Sequence, residues 1–156
     1  MPGNAFIPTE YDIFAGLDVD RKSISVTFTS HQGFIRSLRM PYRVEHLVHY
    51  VGKHFADQRL VFAYEAGPTG YGLYDGLVAH AYPRLIAAPA MIPRAPGQRV
   101  KTNRLDSRAL SENLRGGQLK SIHVPSPVYR ELRHLTQLRD TVVSQAVATK
   151  QRIKSL

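Results

Sequence analysis

The sequence predicts an α/β fold in which helices cover both faces of a mixed β-sheet. Three strand-like segments come first, separated by short polar turns, and helical and strand-like segments alternate after them. One long helical stretch closes the chain. A meander followed by alternating helices and strands is typical of a mixed sheet that is packed on both sides.

The first three strands follow from their hydrophobic patterns. Residues 13–19 are almost entirely apolar, as in a central strand. Apolar and hydroxyl residues alternate over 23–29, which predicts a half-buried strand. A turn at 30–33 leads into a third strand at 34–40, so these segments form a meander.

The later elements follow from the helical spacing of apolar residues or from short apolar runs. In chain order they are a helix at 44–55, a strand at 60–65, a helix from the turn at 67–70 to about 80, a strand at 84–88, a loop at 89–100 rich in proline, and a helix at 103–115. The order β-β-β-α-β-α-β-α is that of the RNase H-like fold, in which the first and fourth strands are neighbours.

Three regions are expected along the chain. Residues 1–11 are predicted to be a flexible lead-in, 12–124 the α/β domain, and 125–156 a helical, coiled-coil-like extension. We expect a dimer or tetramer to form through this last helix, because its apolar residues approximate a heptad repeat: Val128, Leu132, Leu135, Val142, Ala146, Ile153 and Leu156.

The composition favours a polyanionic partner. Lys and Arg number 21 against 12 acidic residues, a formal charge of +9, and each phosphate that a basic residue neutralises releases counterions. The absence of cysteine excludes disulfides, thiolate zinc sites and cysteine nucleophiles. No secretory signal pattern and no apolar run long enough for a bilayer is found, so we expect a cytoplasmic protein without a membrane partner.

Three acids stand where a metal site could form. Asp18 interrupts an apolar strand, Glu65 ends another, and Asp106 lies near the start of a helix. A carboxylate within an apolar strand is costly to desolvate unless a cation meets it. Carboxylate oxygens suit hard divalent cations, and such sites perform phosphodiester chemistry. The pattern therefore predicts a metal site.

Each acid also has a structural alternative. Asp18 could be ion-paired within the polar turn that follows it, and Glu65 could bind the amides of the next helix. Asn103 could be an N-cap with Asp106 at the third helical position, as in a capping box.

Three segments resemble the N-terminal domain of the DEDD transposases of the insertion-sequence-110/116/902 type, relatives of the Piv invertase. They are Gly-Leu-Asp-Val at 16–19, Tyr-Glu-Ala-Gly-Pro-Thr-Gly-Tyr at 64–71, and Arg-Val-Lys-Thr-Asn-Arg-Leu-Asp-Ser at 99–107. The resemblance runs from about residue 13 to the terminal helix. It implies a RuvC-like, RNase H-type fold and a role in DNA transposition and site-specific recombination.

The resemblance also implies a catalytic cluster of four acids that binds Mg²⁺ or Mn²⁺. Asp18 matches the first acid, Glu65 the second and Asp106 the fourth. The third position is occupied by Asn103, whose neutral amide offers an oxygen without charge, so metal binding is expected to be weak. Asn103 could be a natural variant, an engineered inactivation or the sign of a degenerate copy.

The partners that the resemblance implies are DNA and a structured non-coding guide RNA, the bridge RNA, which pairs with donor and target DNA. It further implies a C-terminal domain with a nucleophilic serine, before which this chain is expected to end, and a location at a prokaryotic nucleoid. Four basic residues in and after the loop at 89–100 are expected to bind phosphates: Arg94, Arg99, Lys101 and Arg104.

Two rival functions remain. A catalytically degenerate module would bind nucleic acid and dimerise, and its affinity would survive removal of Mg²⁺ and the substitution Asp18→Asn. The actin-like sugar kinases also begin with Gly-x-Asp and a β-ribbon, but that fold needs two halves and further phosphate loops, which 156 residues do not hold.

Overall fold

The computed structural model describes residues 6–67, 69–93 and 103–156, except for the side chains of Met91 and of residues 103–105. The described residues form two compact units, one within Met1–Ile122 and one within His123–Leu156. The described residues include five strands: β1 Ile13–Val19, β2 Ser23–Ser30, β3 Gly33–Pro41, β4 Leu60–Glu65 and β5 Arg84–Ala87. They also include four helices: α1 Val44–His54, α2 Gly72–Ala79, α3 Asn103–Arg115 and α4 Pro127–Lys154. Short 3-10 turns lie at Pro8–Glu10 and Pro89–Met91.

The five strands form one mixed sheet in the order β3-β2-β1-β4-β5. The meander β1-β2-β3 is antiparallel, whereas β4 is parallel to both β1 and β5. This arrangement confirms that the first and fourth strands are neighbours. The strand ends that carry Asp18 and Glu65 therefore lie at the same edge of the sheet.

The two faces of the sheet are covered by different helices. Helix α3 packs on one face, and its buried Leu110 and Leu114 are spaced as the apolar stripe of an amphipathic helix. On the other face, the ring of Phe28 in β2 stacks on Tyr50 of α1 at 5.7 Å between centroids. The core beneath α3 consists of eight buried residues: Phe14, Val61, Ala63, Leu85, Ala87, Leu110, Leu114 and Leu119.

Residues 6–11 differ from the predicted flexible lead-in. Phe6 and Tyr11 pack against the core beneath α3, and their rings stack at 5.6 Å between centroids. The 3-10 turn at Pro8–Glu10 connects them. The prediction is wrong for these six residues, because two aromatic side chains bury apolar surface that an extended lead-in would leave in water.

The unit at 123–156 consists mainly of α4. Ser126 caps the helix by accepting a hydrogen bond from the amide of Tyr129 at 3.5 Å, and Pro127 occupies its first turn. The long helix predicted from the sequence is confirmed, and none of its residues is buried. Within the described part of the chain, no helix is both long and apolar enough to cross a bilayer.

Candidate functional site

Strand β1 and helix α3 touch at Gly16. A Cβ added to this glycine would overlap the carbonyl oxygen of Ser107 and the amide nitrogen of Ser111, and would lie 3.0 Å from the Cβ of Leu110. Only a residue without a side chain allows the helix backbone to come this close to the strand. The position of α3 over the sheet is therefore set by backbone contact.

Buried hydroxyl groups hold the helix in this position. The Ser111 hydroxyl donates to the carbonyl oxygen of Phe14 at 2.9 Å and lies 2.7 Å from the hydroxyl of Thr29. One turn earlier, the hydroxyl of Ser107 lies 2.9 Å from that of Thr27. All four hydroxyl residues are buried, and these bonds give them the partners that buried polar groups require.

The same contacts show that α3 runs antiparallel to β1. Ser111 lies at the level of Phe14, whereas Ser107 lies at the level of Gly16, whose strand partner is Thr27. One helical turn and two strand residues each cover roughly 6 Å. A further turn back along α3, to its first residue at 103, therefore reaches the level of Asp18.

Asp18 and Glu65 lie side by side on the α3 face of the sheet. The parallel register pairs Leu17 with Tyr64. The next residues of the two strands, Asp18 and Glu65, therefore lie next to each other. The residues two positions earlier in both strands contact α3, and side chains alternate between faces. Both carboxylates are half-buried and so can be reached from solvent.

Asp106 lies on the part of α3 that faces β4. Its position is one turn before Leu110, which packs with Val61 and Ala63 of β4. Because α3 runs antiparallel to β1, this turn approaches the strand ends that carry Asp18 and Glu65. Asp18 and Glu65 thus share one face and one end of the sheet, and the half-buried Asp106 belongs to the helix that covers this face.

The acids do not form a metal-ligand group in the structure. Among the described residues, no three His, Cys, Asp or Glu side chains lie together so that they could hold a metal ion. The side chains of Asn103 and Arg104, and all of Arg94, Arg99 and Lys101, lie outside the described residues. The structure thus gives a common edge, and the coordination of a metal by these residues stays a prediction.

One basic residue of this face is absent from the residues that the sequence pattern identified. Arg39 of β3 donates two hydrogen bonds to the hydroxyl of Ser23, from Nε at 3.0 Å and from Nη2 at 2.8 Å. It pairs with Ser25, which in turn pairs with Asp18, so the three residues form one cross-strand row. The sequence pattern does not identify Arg39, because a bulge in the β2–β3 pairing decides on which face of the sheet its side chain lies.

Tyr64 belongs to the opposite face of the sheet. Its side chain is buried, and within the described residues its hydroxyl has no hydrogen-bond partner. Burial raises the pKa of this hydroxyl well above its ordinary value, because the phenolate would be desolvated. Tyr64 therefore stays protonated at neutral pH and lies on the face away from the three acids.

The sequence of the chain corresponds to a known protein family. Residues 15–156 match the model of the DEDD transposase family of the IS110 type, whose description is transposase. The chain belongs to the IS110-type DEDD transposases. This membership confirms the family resemblance of the three sequence segments.

Individual relatives and a solved structure agree with the family. The chain is 39% identical over 98 residues to y4qE of Sinorhizobium fredii, which is named as a transposase. It is 24% identical over 112 residues to the transposase for insertion sequence element IS1533 of Leptospira borgpetersenii. These alignments cover 63% and 69% of the chain but 25% and 32% of the two relatives. The chain thus spans about a quarter to a third of their length.

The fold is that of RuvC. Thermus thermophilus RuvC, solved in complex with a Holliday junction substrate, superposes with a TM-score of 0.52 at 9% identity. The match covers 71% of this chain and 99% of RuvC. The predicted RNase H-like, RuvC-like fold is therefore confirmed.

Proposed function

We propose that this chain is the RuvC-like, metal-binding catalytic part of an IS110-type transposase and acts in DNA transposition and site-specific recombination. The observation that supports the proposal is the parallel pairing of β1 with β4, which brings the strand ends of Asp18 and Glu65 together beneath the helix that carries Asp106. Family membership supports the same function. A structured guide RNA is part of the proposal as the partner that selects the DNA.

The chemistry of the donor set suits a hard divalent cation. The three acids are half-buried, and carboxylate oxygens are the ligands that Mg²⁺ and Mn²⁺ prefer. Asp18, Glu65 and Asp106 would hold the ion, and Asn103 would add one neutral oxygen, which makes binding weak. When bound, the cation would neutralise charge that develops on the phosphodiester oxygens.

The chain's own residues prepare this edge. Backbone contact at Gly16 and the buried hydroxyl bonds fix α3, so the position of Asp106 relative to β1 and β4 is set before any ligand arrives. We propose that the basic residues leading into α3 bind phosphates and bring a strand to the acids: Arg94, Arg99, Lys101 and Arg104. Groups that are already in position lower the entropy that is lost when the reacting groups are brought together.

Metal titration tests the proposal. Calorimetry with Mn²⁺ and Mg²⁺ on the unmodified chain should detect weak binding, which Asp18→Asn should abolish. The matched control is Asp20→Asn, because Asp20 is an exposed turn residue whose carboxylate accepts a hydrogen bond from the Arg21 amide. Equal binding by all three proteins, or no binding by the unmodified chain, would contradict the proposed metal site.

A second candidate function is a catalytically degenerate module that binds nucleic acid and dimerises. Two observations favour it: the neutral residue at position 103, and the lack of a three-ligand group among the described side chains. In that case nucleic-acid affinity would be unchanged by a chelator and by Asp18→Asn. The calorimetric titration separates the two candidates, because the degenerate module would bind no divalent ion.

We further propose that α4 joins two or more copies of the chain. Its large apolar residues are about half exposed or more within the single chain, among them Leu132, Leu135, Val142 and Ile153. They occur at the alternating spacing of four and three residues that places side chains along a coiled-coil seam. A second copy of the same helix would bury them.

A further inference from the structure

We propose that Arg39 and Arg108 form a phosphate-binding rim along β3 that holds the backbone of a nucleic-acid strand beside Asp18. The rim lies on the α3 face of the sheet and uses neither the loop residues nor the acids discussed above. The proposal rests on the proposed function, because it names where the substrate of that site would bind.

Arg39 lies in the same cross-strand row as Asp18. The antiparallel registers pair Asp18 with Ser25 and Ser25 with Arg39. Paired residues in neighbouring strands share a face, so all three lie on the face that α3 covers. Two strand spacings separate the Cα atoms of Asp18 and Arg39 by roughly 10 Å, a gap that the long side chain of arginine can partly close.

The guanidinium of Arg39 is held in place by hydrogen bonds that leave some of its donors available. Its Nε and Nη2 donate to the hydroxyl of Ser23, which is only 8% exposed. A guanidinium has five N–H donors, so three remain for another acceptor. Among the described carboxylates none forms an ion pair with Arg39, and its side chain is exposed. An arginine fixed in this way suits bidentate binding of a phosphate.

Arg108 of α3 supplies a second guanidinium to the same side of β3. Its guanidinium carbon lies 4.9 Å from the ring centroid of Phe34, a cation–π contact. Phe34 pairs with Thr29, whose hydroxyl bonds to Ser111 of α3, so the ring lies on the α3 face. Phe34 is 44% exposed. The rim therefore has a cation at each end of β3.

The spacing of the rim fits a phosphodiester chain better than a single small anion. Phe34, which Arg108 covers, and Arg39 pair with residues that are four positions apart on β2, a span of roughly 13 Å. This span corresponds to about four base-pair steps along the axis of a duplex. Among the described strands, β3 is the outermost on its side of the sheet, so an extended ligand can lie along it.

The strand offers its own control residue. Arg36 lies three positions before Arg39 but on the opposite face, where it pairs with Phe28 and donates to the hydroxyl of Tyr50 at 3.1 Å. The substitutions Arg39→Gln and Arg36→Gln remove the same charge from the same strand. A difference in affinity between the two variants therefore depends on the face of the sheet from which the charge is removed, and not on the net charge.

Fluorescence anisotropy with labelled oligonucleotides tests the rim. Single-stranded and duplex DNA and RNA would be titrated with the 156-residue chain at a series of salt concentrations, in a buffer that contains a chelator. Arg39→Gln should weaken binding several-fold at low salt and reduce the slope of log affinity against log salt by about one. Arg108→Gln should have the same two effects. Arg36→Gln should change the slope little, and Arg39→Lys, which keeps the charge, should retain most of the affinity.

The outcomes separate this proposal from the proposed function. Equal losses in Arg39→Gln and Arg36→Gln, or no binding by the unmodified chain, would overturn the rim. Thermal melting shows whether Arg39→Gln is folded, and Arg108→Gln carries the test if it is not. Because the assay contains no free divalent ion, a failure of the metal site leaves this result intact. The DNA and RNA arms show which strand the rim holds.

Discussion

Gly16 of β1 and Ser107 of α3 are in backbone contact, so that no side chain fits between the central strand and the helix above it. The helix that carries Asp106 is thereby placed at a fixed height over the strand that carries Asp18. Neighbouring hydroxyl bonds from Ser107 and Ser111 fix its position along the strand. The relative placement of the two acids depends on this contact.

We predict that Gly16→Ala is strongly destabilising. The added methyl group meets backbone atoms of α3, which cannot rotate away, and we expect a loss of about 3 kcal/mol or more in the free energy of unfolding. Gly52→Ala is the control, because its Cβ would meet open space on helix α1 and should stabilise by about 0.5–1 kcal/mol. Chemical denaturation measures both. A near-neutral Gly16→Ala would show that α3 does not rest on β1.

We predict that Ser111→Ala costs about 1–3 kcal/mol of stability, because it leaves the buried carbonyl of Phe14 and the hydroxyl of Thr29 without this partner. Ser121→Ala is the control, since Ser121 is exposed and its hydroxyl donates to the carbonyl of the adjacent Ile122. Urea denaturation compares the two variants. Equal effects would mean that the hydroxyl bonds contribute nothing to holding α3.

Most of the fold could be predicted from the sequence. The alternation over β2 and the apolar runs of β1 and β4 are strong local signals, and the described helices begin and end within a few residues of the predicted bounds. The neighbouring position of β1 and β4 followed from the element order. These features depend on hydrophobic periodicity, which one sequence displays.

The face on which Arg39 lies could not be predicted. From the turn at 30–33, regular pairing would place Leu38 opposite Ser25 and turn Arg39 to the other face. A register shift between Phe28 and Thr29 moves the pairing by one residue, so Arg39 faces α3 instead. A one-residue slip reverses every later side chain, and bulges leave little trace in sequence.

The site was only partly predictable for a different reason. Asp18 and Glu65 were recognisable as acids at strand ends, and parallel pairing brings them to one edge. Their distance from Asp106 depends on side-chain torsions and on the crossing of α3 over Gly16. Neither is encoded in the spacing of residues along the chain.

We predict that Leu135→Glu dissociates an oligomer that α4 forms. The substitution places a charge on the apolar seam of an exposed helix, where a partner helix would have to desolvate it. Gln137→Glu adds the same charge away from the seam and should leave the mass of the oligomer in solution unchanged. Sedimentation velocity measures both variants. An unmodified chain that is monomeric at every concentration would contradict the proposed oligomer.

We predict that the ion pair between Asp12 and Arg59 loses its contribution to stability in acid. The hydrogen bond from the Arg59 side chain lowers the pKa of Asp12 from 3.8 to about 2. A carboxyl whose pKa is lower in the folded state stabilises the protein above its unfolded pKa and ceases to do so as pH falls toward the folded one. The contribution should thus be complete above about pH 4 and disappear toward pH 2.

Denaturation of the unmodified chain and of Asp12→Asn between pH 5 and 2 measures this effect. The stability difference between them should shrink as pH falls and, because both side chains are exposed, it should also shrink with added salt. A difference that is constant over this pH range would contradict the assignment.

The most direct measurement of the central claim is the affinity for Mn²⁺ and Mg²⁺ after Asn103→Asp. This change places a fourth carboxylate at the end of α3 that lies at the level of Asp18, and binding should tighten by about tenfold or more relative to the unmodified chain. Asn113→Asp makes the same change nearly three turns along α3, and its affinity should stay at the unmodified value. Equal affinities in all three proteins would show that position 103 and the acids at 18, 65 and 106 do not share a cation.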